Sequence, residues 1–127
     1  MGYRLEDLEV YKEAREFRKK IYQVLKLLPE QEKFGLINQM RRAAISLTNN
    51  IAEGHGRFHY QENIQFLRQS RGSLEELIDD INICIDEGYI SSPTFEELQL
   101  ITSSLLKKIN GYIRYLKSRK LEEVTLD

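Results

Sequence analysis

Catalysis by protein side chains needs a nucleophile, a base or a metal held in a fixed constellation, and this 127-residue sequence offers few such parts. His55 and His59 are its only histidines. With Glu53 and Glu62 beside them they supply the ligand types that hold zinc. Gly54 and Gly56 flank His55, and that break sets the two rings on different helical faces, so no metal site is expected. Cys84 is the lone cysteine, which excludes an internal disulfide. It lies in an apolar run and reads as a buried structural thiol rather than a nucleophile. Asp79, Asp80, Asp86 and Glu87 read as a solvated helix face rather than a paired-carboxylate site. Gly54-His55-Gly56-Arg57 is too short for a phosphate-cradling loop, and no Walker-type motif occurs. No catalytic residue and no cofactor is expected, and the chain reads as non-enzymatic.

Binding chemistry is the remaining possibility. Arg41, Arg42, Arg57, Arg68 and Arg71 are the candidate nucleic-acid contacts, since guanidinium groups bind phosphate in a planar, bidentate way. They act without a global basic field, because 19 Lys and Arg face 20 Asp and Glu for a formal charge of −1. Charge is nevertheless polarised along the chain. Glu75 to Glu97 holds eight acids and no base, and Leu98 to Lys120 six bases and no acid. One reading pairs two neighbouring helices through exposed flanks; the other makes Lys107, Lys108, Arg114, Lys117, Arg119 and Lys120 a phosphate-contacting strip.

The elements that position these residues follow from hydrophobic periodicity. Val10, Ala14, Phe17, Ile21, Val24 and Leu28 recur at alternating steps of four and three, predicting a first helix over Asp7 to Leu28. Ile37, Met40, Ala44, Leu47 and Ile51 predict a second, closed where Gly54 supplies a permissive backbone. Tyr60, Ile64, Leu67, Leu74, Ile78, Ile81 and Ile85 predict a third, ending near Glu87-Gly88, with Arg71 at one position the pattern would make apolar. Pro93 and a Thr94-to-Glu97 capping box open a fourth, which carries Leu98, Ile101, Leu105, Ile109, Tyr112 and Leu116 and ends near Arg119. Four similar segments joined by short loops predict an all-α, antiparallel up-down-up-down four-helix bundle. One domain is expected over 1–120, followed by a frayed polar tail over 121–127. The first residues lack a charged-then-apolar leader layout and no stretch reaches the ~18 apolar residues of a membrane span, so a cytoplasmic protein without a membrane role is expected.

Helix two carries a second organised stripe. At about 100° per residue, Arg42, Ser46, Asn49 and Glu53 fall opposite its apolar face, together with Ile45. On helix three Gly72 points outward with Gln65, Gln69, Glu76 and Ile83, although a mid-helix glycine costs about 0.5–1 kcal/mol relative to alanine. Tight packing by a neighbour would account for it, and Ile45 and Phe66 add apolar area. Arg42, Ile45, Ser46, Asn49, Glu53, Phe66, Gly72 and Glu76 are therefore the candidate surface for self-association.

The same helices carry longer strings: Glu32-Lys33-Phe34-Gly35-Leu36, Gln39-Met40-Arg41-Arg42-Ala43-Ala44-Ile45-Ser46, Asn50-Ile51-Ala52-Glu53-Gly54-His55-Gly56-Arg57, then Phe66-Leu67 and Gly72-Ser73-Leu74-Glu75-Glu76. In this order they resemble the bacterial four-helix bundle proteins called 23S ribosomal RNA intervening-sequence proteins, over about residues 5 to 118. Tyr11 stands where that family often has tryptophan and Thr48 where many members have proline, which predicts a straighter second helix. The resemblance implies a left-handed bundle that assembles as a homopentameric ring with no established enzymatic activity. Related bundles serve diversity-generating retroelements as accessory proteins that bind reverse transcriptase and nucleic acid, but those are basic and this chain is not. Two functions follow as expectations: an oligomeric module associated with RNA or a nucleoprotein, or a protein-binding scaffold in which the same arginines pair with Glu53, Glu75 and Glu76.

Overall fold

The computed structural model describes residues 4–126, with side chains described through residue 122. Four helices follow one another: α1 (Glu9–Leu25), α2 (Leu36–His55), α3 (Tyr60–Asp86) and α4 (Ser92–Leu126). Two single 3-10 turns, Leu5–Asp7 and Glu30–Glu32, precede α1 and α2. The helices form an antiparallel bundle in which α2 packs most extensively along α3, α3 along α4, and α1 along both α2 and α4. Consequently α2 and α4 occupy opposite corners. Among the described residues no helix is long and apolar enough to cross a membrane.

The periodic apolar positions make the core. Phe17, Ile21, Met40, Leu47, Ile51, Ile64, Leu67, Leu74, Leu98, Leu105 and Ile109 are fully buried, each such side chain stabilising the fold by about 1.5–3 kcal/mol. The partner of α2 is fixed by two seven-residue repeats. Met40, Leu47 and Gly54 on α2 meet Asn63, Ser70, Leu77 and Cys84 on α3, running the other way. Cys84 Sγ lies 3.8 Å from Met40 Sδ, and Ser70 Oγ donates to the Leu47 carbonyl at 2.7 Å. A Cβ placed on Gly54 would lie 2.6 Å from Asn63 Oδ1 and 3.0 Å from Phe66 Cβ.

Asp7 belongs to the preceding 3-10 turn and α1 starts at Glu9; beyond that, helix ends depart from the sequence expectations in four places, each with a local cause. α1 stops at Leu25 rather than Leu28, because Pro29 disfavours helical backbone in the residue before it; Leu28 stays buried all the same. Gly54 does not end α2 by a left-handed turn. It lies within the helix, and only Gly88 has a positive φ among the described residues; the glycine is needed for the close approach of α3. Gly88, at φ 76°, closes α3, with Tyr89 N–H donating to the Cys84 carbonyl at 2.8 Å and Gly88 N–H to that of Ile85 at 3.1 Å, the double bond of a Schellman end. α4 starts ahead of Thr94: Ser91 Oγ accepts from Thr94 N–H at 3.3 Å, leaving Glu97 free to pair with Lys20 of α1.

The fourth departure is the tail. α4 continues to Leu126 instead of ending near Arg119, since no glycine or proline interrupts Lys120 to Leu126. Asp127 lies outside the described residues.

Candidate interaction surface

The outer face of α2 forms a groove. Its first part, about 800 Å³, is walled by α2 and α3 and lined by Arg42, Ile45, Ser46, Asn49 and Glu76 together with Phe34, Asn38 and Ser73. Asn49 also lines a second hollow of about 520 Å³ with Ala52, Glu53, Gly56 and Arg57. The two therefore run on along one helix face. Ser73 Oγ and Ser46 Oγ, 2.9 Å apart, stitch the groove floor, and Asn50 Nδ2 donates to the Ser46 carbonyl at 2.9 Å.

Six of the eight residues expected to form a contact surface are brought together here: Arg42, Ile45, Ser46, Asn49, Glu53 and Glu76. Phe66 is different, being half-buried with the Arg57 guanidinium 4.9 Å from its ring. Gly72 is exposed, with nothing within 4 Å of where a Cβ would stand, one turn before Glu76 at the groove edge. Sequence reasoning did not single out Phe34 or Asn38. Asn38 continues the spacing of Arg42, Ile45 and Asn49, so the period contained it. Phe34, 88% exposed, precedes the helix and has no periodic signal.

The five candidate arginines do not converge. Arg41 lies over the Tyr22 ring of α1 at 5.3 Å. Arg42 is in the groove. Arg57 reaches Glu53 at 3.2 Å, and Arg68 is exposed on α3. Arg71, at the position the core pattern left polar, donates from Nη1 to Asn110 Oδ1 of α4 at 2.8 Å and so clamps two helices. Of the two readings of acidic α3 and basic α4, pairing of their flanks is not seen as direct ion pairs among the described residues. Lys108 instead pairs with Glu13 of α1 at 2.9 Å and Arg119 with Glu122 at 2.9 Å, while Lys120 reaches Gln61 of α3, a neutral partner, at 2.6 Å. Asp79 and Asp86 are exposed on α3, and Lys107, Arg114 and Lys117 on α4.

His55 ends α2 and His59 precedes α3 across the turn between them, where the Phe58 ring meets His59 edge-on at 5.1 Å. Among the described residues no group of three or more His, Cys, Asp or Glu is placed to hold a metal ion. Cys84 is buried, and burial, with Asp80 and Glu32 nearby, pushes its thiol up to about 11, away from the thiolate a nucleophile needs. Asp80 does not sit on a solvated face as expected; only 1% of it is exposed. Gln39 Nε2 donates to its Oδ1 at 2.6 Å, and its Oδ2 has no hydrogen-bond partner. Burial, helped by Glu76 and Asp79 and opposed by Gln39, raises its carboxyl from 3.8 to about 6. This buried carboxyl is tied to Gln39, an exposed residue that lines the groove, and among the described residues no acid or base is hydrogen-bonded to it.

Fold and surface thus define a small antiparallel four-helix bundle with a periodic groove along its second helix. The model of the 23S rRNA-intervening sequence protein family matches residues 6–111, and the chain belongs to that family. Among solved structures, it is similar to a protein of unknown function from the S23 ribosomal protein family of Bacteroides thetaiotaomicron, with 22% identity, a TM-score of 0.76, and coverage of 83% of this chain and 95% of that one. At that identity the likeness speaks for the fold. A comparison with curated proteins gave no match.

Proposed function

We propose that this protein is a non-enzymatic, cytoplasmic self-associating module, a scaffold whose subunits join through the outer face of α2. One observation carries the reading: the polar stripe with Ile45 at its centre lines a groove walled by α2 and α3 rather than a convex, evenly solvated surface. A groove of that length suits a helix from another chain, read at steps of three and four. The homopentameric ring implied by the family resemblance is the assembly we favour, because a cyclic assembly repeats one heterologous contact around its axis. Light scattering across the micromolar range tests this. A mass several times that of the 15.0 kDa chain is expected, and a clean monomer at high micromolar concentration would remove the proposal.

A second reading, association with RNA or a nucleoprotein, is supported by the exposed Arg42 and Arg68, for which no carboxylate partner is seen among the described residues. Repetition around a ring would multiply such weak contacts. Binding to structured RNA over a salt series decides it, since phosphate contacts weaken log affinity linearly with log salt. An accessory role in a retroelement would show as binding to a reverse transcriptase.

A further inference from the structure

The groove lining is marked by its residue types. Gly35, Arg42, Asn49 and Gly56 stand seven residues apart, and Asn38, Ile45 and Ala52 fill the intermediate positions. Steps of three and four mark any one face of a helix, so the content distinguishes this one: glycines at either end, just outside α2, and Ile45 as the single large apolar side chain between them. This seam faces outward. All of these residues are exposed except the half-buried Ala52.

A matching seam lies on the outside of α4. Leu100, Lys107, Arg114 and Leu121 recur every seven residues, with Ser104, Gly111 and Ser118 between them. All are exposed but the half-buried Gly111, and Leu100 and Leu121 are 75% and 68% exposed, unusual for leucine on a bundle. Read from its C-terminal end, this seam has steps of three, four, three, four, three, four. The two faces are equal in length, 22 residues each, about 33 Å at helical rise, so one can lie along the whole of the other.

We infer that the occupant of the α2 groove is the outer face of α4 from a second copy of the chain, laid antiparallel. This rests on the self-association reading above and specifies the surface that reading leaves open. Antiparallel alignment sets large residues over glycines: Leu121 on Gly35, Leu100 on Gly56 and Ile45 on Gly111. Glu32 Oε1 and Arg114 Nη2 lie 3.3 and 3.8 Å from where a Cβ would stand at Gly35 and Gly111, both on long side chains that can swing aside. Charge agrees with shape. The groove walls carry Glu53 and Glu76, and the α4 seam brings Lys107 and Arg114. The one like-charge meeting, Arg42 with Arg114, falls within the part of the groove that Glu76 lines. The interior of the chain shows the same device, since α2 meets α3 through antiparallel seven-residue repeats with Gly54 against Asn63. Because α2 and α4 occupy opposite corners, each copy offers a groove on one side and a seam on the other, and the contact is heterologous.

Cross-linking between differently tagged full-length chains tests the register. Ile45→Cys in one chain and Gly111→Cys in the other, mixed and treated with a bis-maleimide bridging about 8–10 Å, the spacing of packed helices, should give a product containing both tags. Gly35→Cys should couple to Leu121→Cys and not to Leu100→Cys, while Gly56→Cys should couple to Leu100→Cys. Cys84 stays in place, fully buried. Scattering is recorded on each mixture. An assembly of several chains in which Ile45→Cys couples to itself, or Gly35→Cys prefers Leu100→Cys, overturns the antiparallel docking and leaves self-association standing. A monomer for the unmodified chain overturns both. Leu100→Asp together with Leu121→Asp, both solvent-facing in the subunit, should keep helicity and reduce the assembly to single chains; an unchanged mass overturns the docking.

Discussion

The two faces of α2 share one period and differ in everything else. On the inner face Met40, Ala44, Leu47 and Ile51 are at most 1% exposed and meet partners within the chain. On the outer face Arg42, Ile45 and Asn49 keep the same rhythm and are exposed, and among the described residues no ion pair holds Arg42. The spacing is common to both faces because it belongs to the helix; apolarity decides which face the chain buries itself. Where the period is apolar the subunit folds on it, and where it is of mixed polarity the face is solvated in the single chain.

The largest effect that separates the faces is a charge on the inner one. Leu47→Asp puts a carboxylate with no partner into the core and should cost more than about 4 kcal/mol, enough to abolish the helical circular dichroism signal at 25 °C. Arg42→Glu, about one and a half turns away on the outer face, should leave that signal intact and lower the assembled mass in scattering. If both variants unfold the subunit, the two faces are not distinct.

Gly54→Ala comes next. The added methyl would lie 2.6 Å from Asn63 Oδ1 and 3.2 Å from the Asn63 carbonyl, so α2 and α3 must part or twist, at about 1–3 kcal/mol in urea unfolding. An unchanged midpoint would mean that the helix pair has slack there. This glycine also shows where the sequence stops being legible. The four apolar stripes revealed the helices, their order and the bundle, because a 3.6-residue period depends on each segment alone. The reason for Gly54 depends on a residue nine positions ahead across a turn, and from sequence a glycine before Gly56 reads as a helix end. Arg71 is the same kind of case: its partner Asn110 is 39 residues away, and no local pattern contains that distance. The groove fell between, since its α2 wall was periodic and visible while Phe34 and Ser73 came to it by tertiary packing.

Asp80 gives a pH-dependent version of the comparison, because it is an inner-face residue with outer-face chemistry. Its folded carboxyl titrates at about 6 against an ordinary 3.8. Between those values the unfolded chain has released a proton that the folded one keeps, so stability falls as pH rises through that window and levels off above it. Asp80→Asn removes the ionisation. The variant should gain on the parent by about 1–3 kcal/mol at pH 7.5 and by little at pH 4, as read by urea midpoints. A difference that does not change with pH would place the carboxyl's cost elsewhere than in its desolvation.

The smallest expected effect belongs to the outermost position. Gly72 has open space where its Cβ would stand, so within the subunit a methyl group there meets nothing and only helix propensity responds. Gly72→Ala should raise subunit stability by about 0.5–1 kcal/mol, measured under conditions that hold the chain monomeric. Gly72→Leu should keep most of that gain, since leucine is also a good helix former, yet lower the assembled mass if a neighbour's helix passes over the groove edge beside Glu76. The two variants thus separate what the chain needs from what its neighbour needs: a leucine that stabilises the subunit and leaves assembly untouched would set the boundary of the contact at Glu76, inside Gly72.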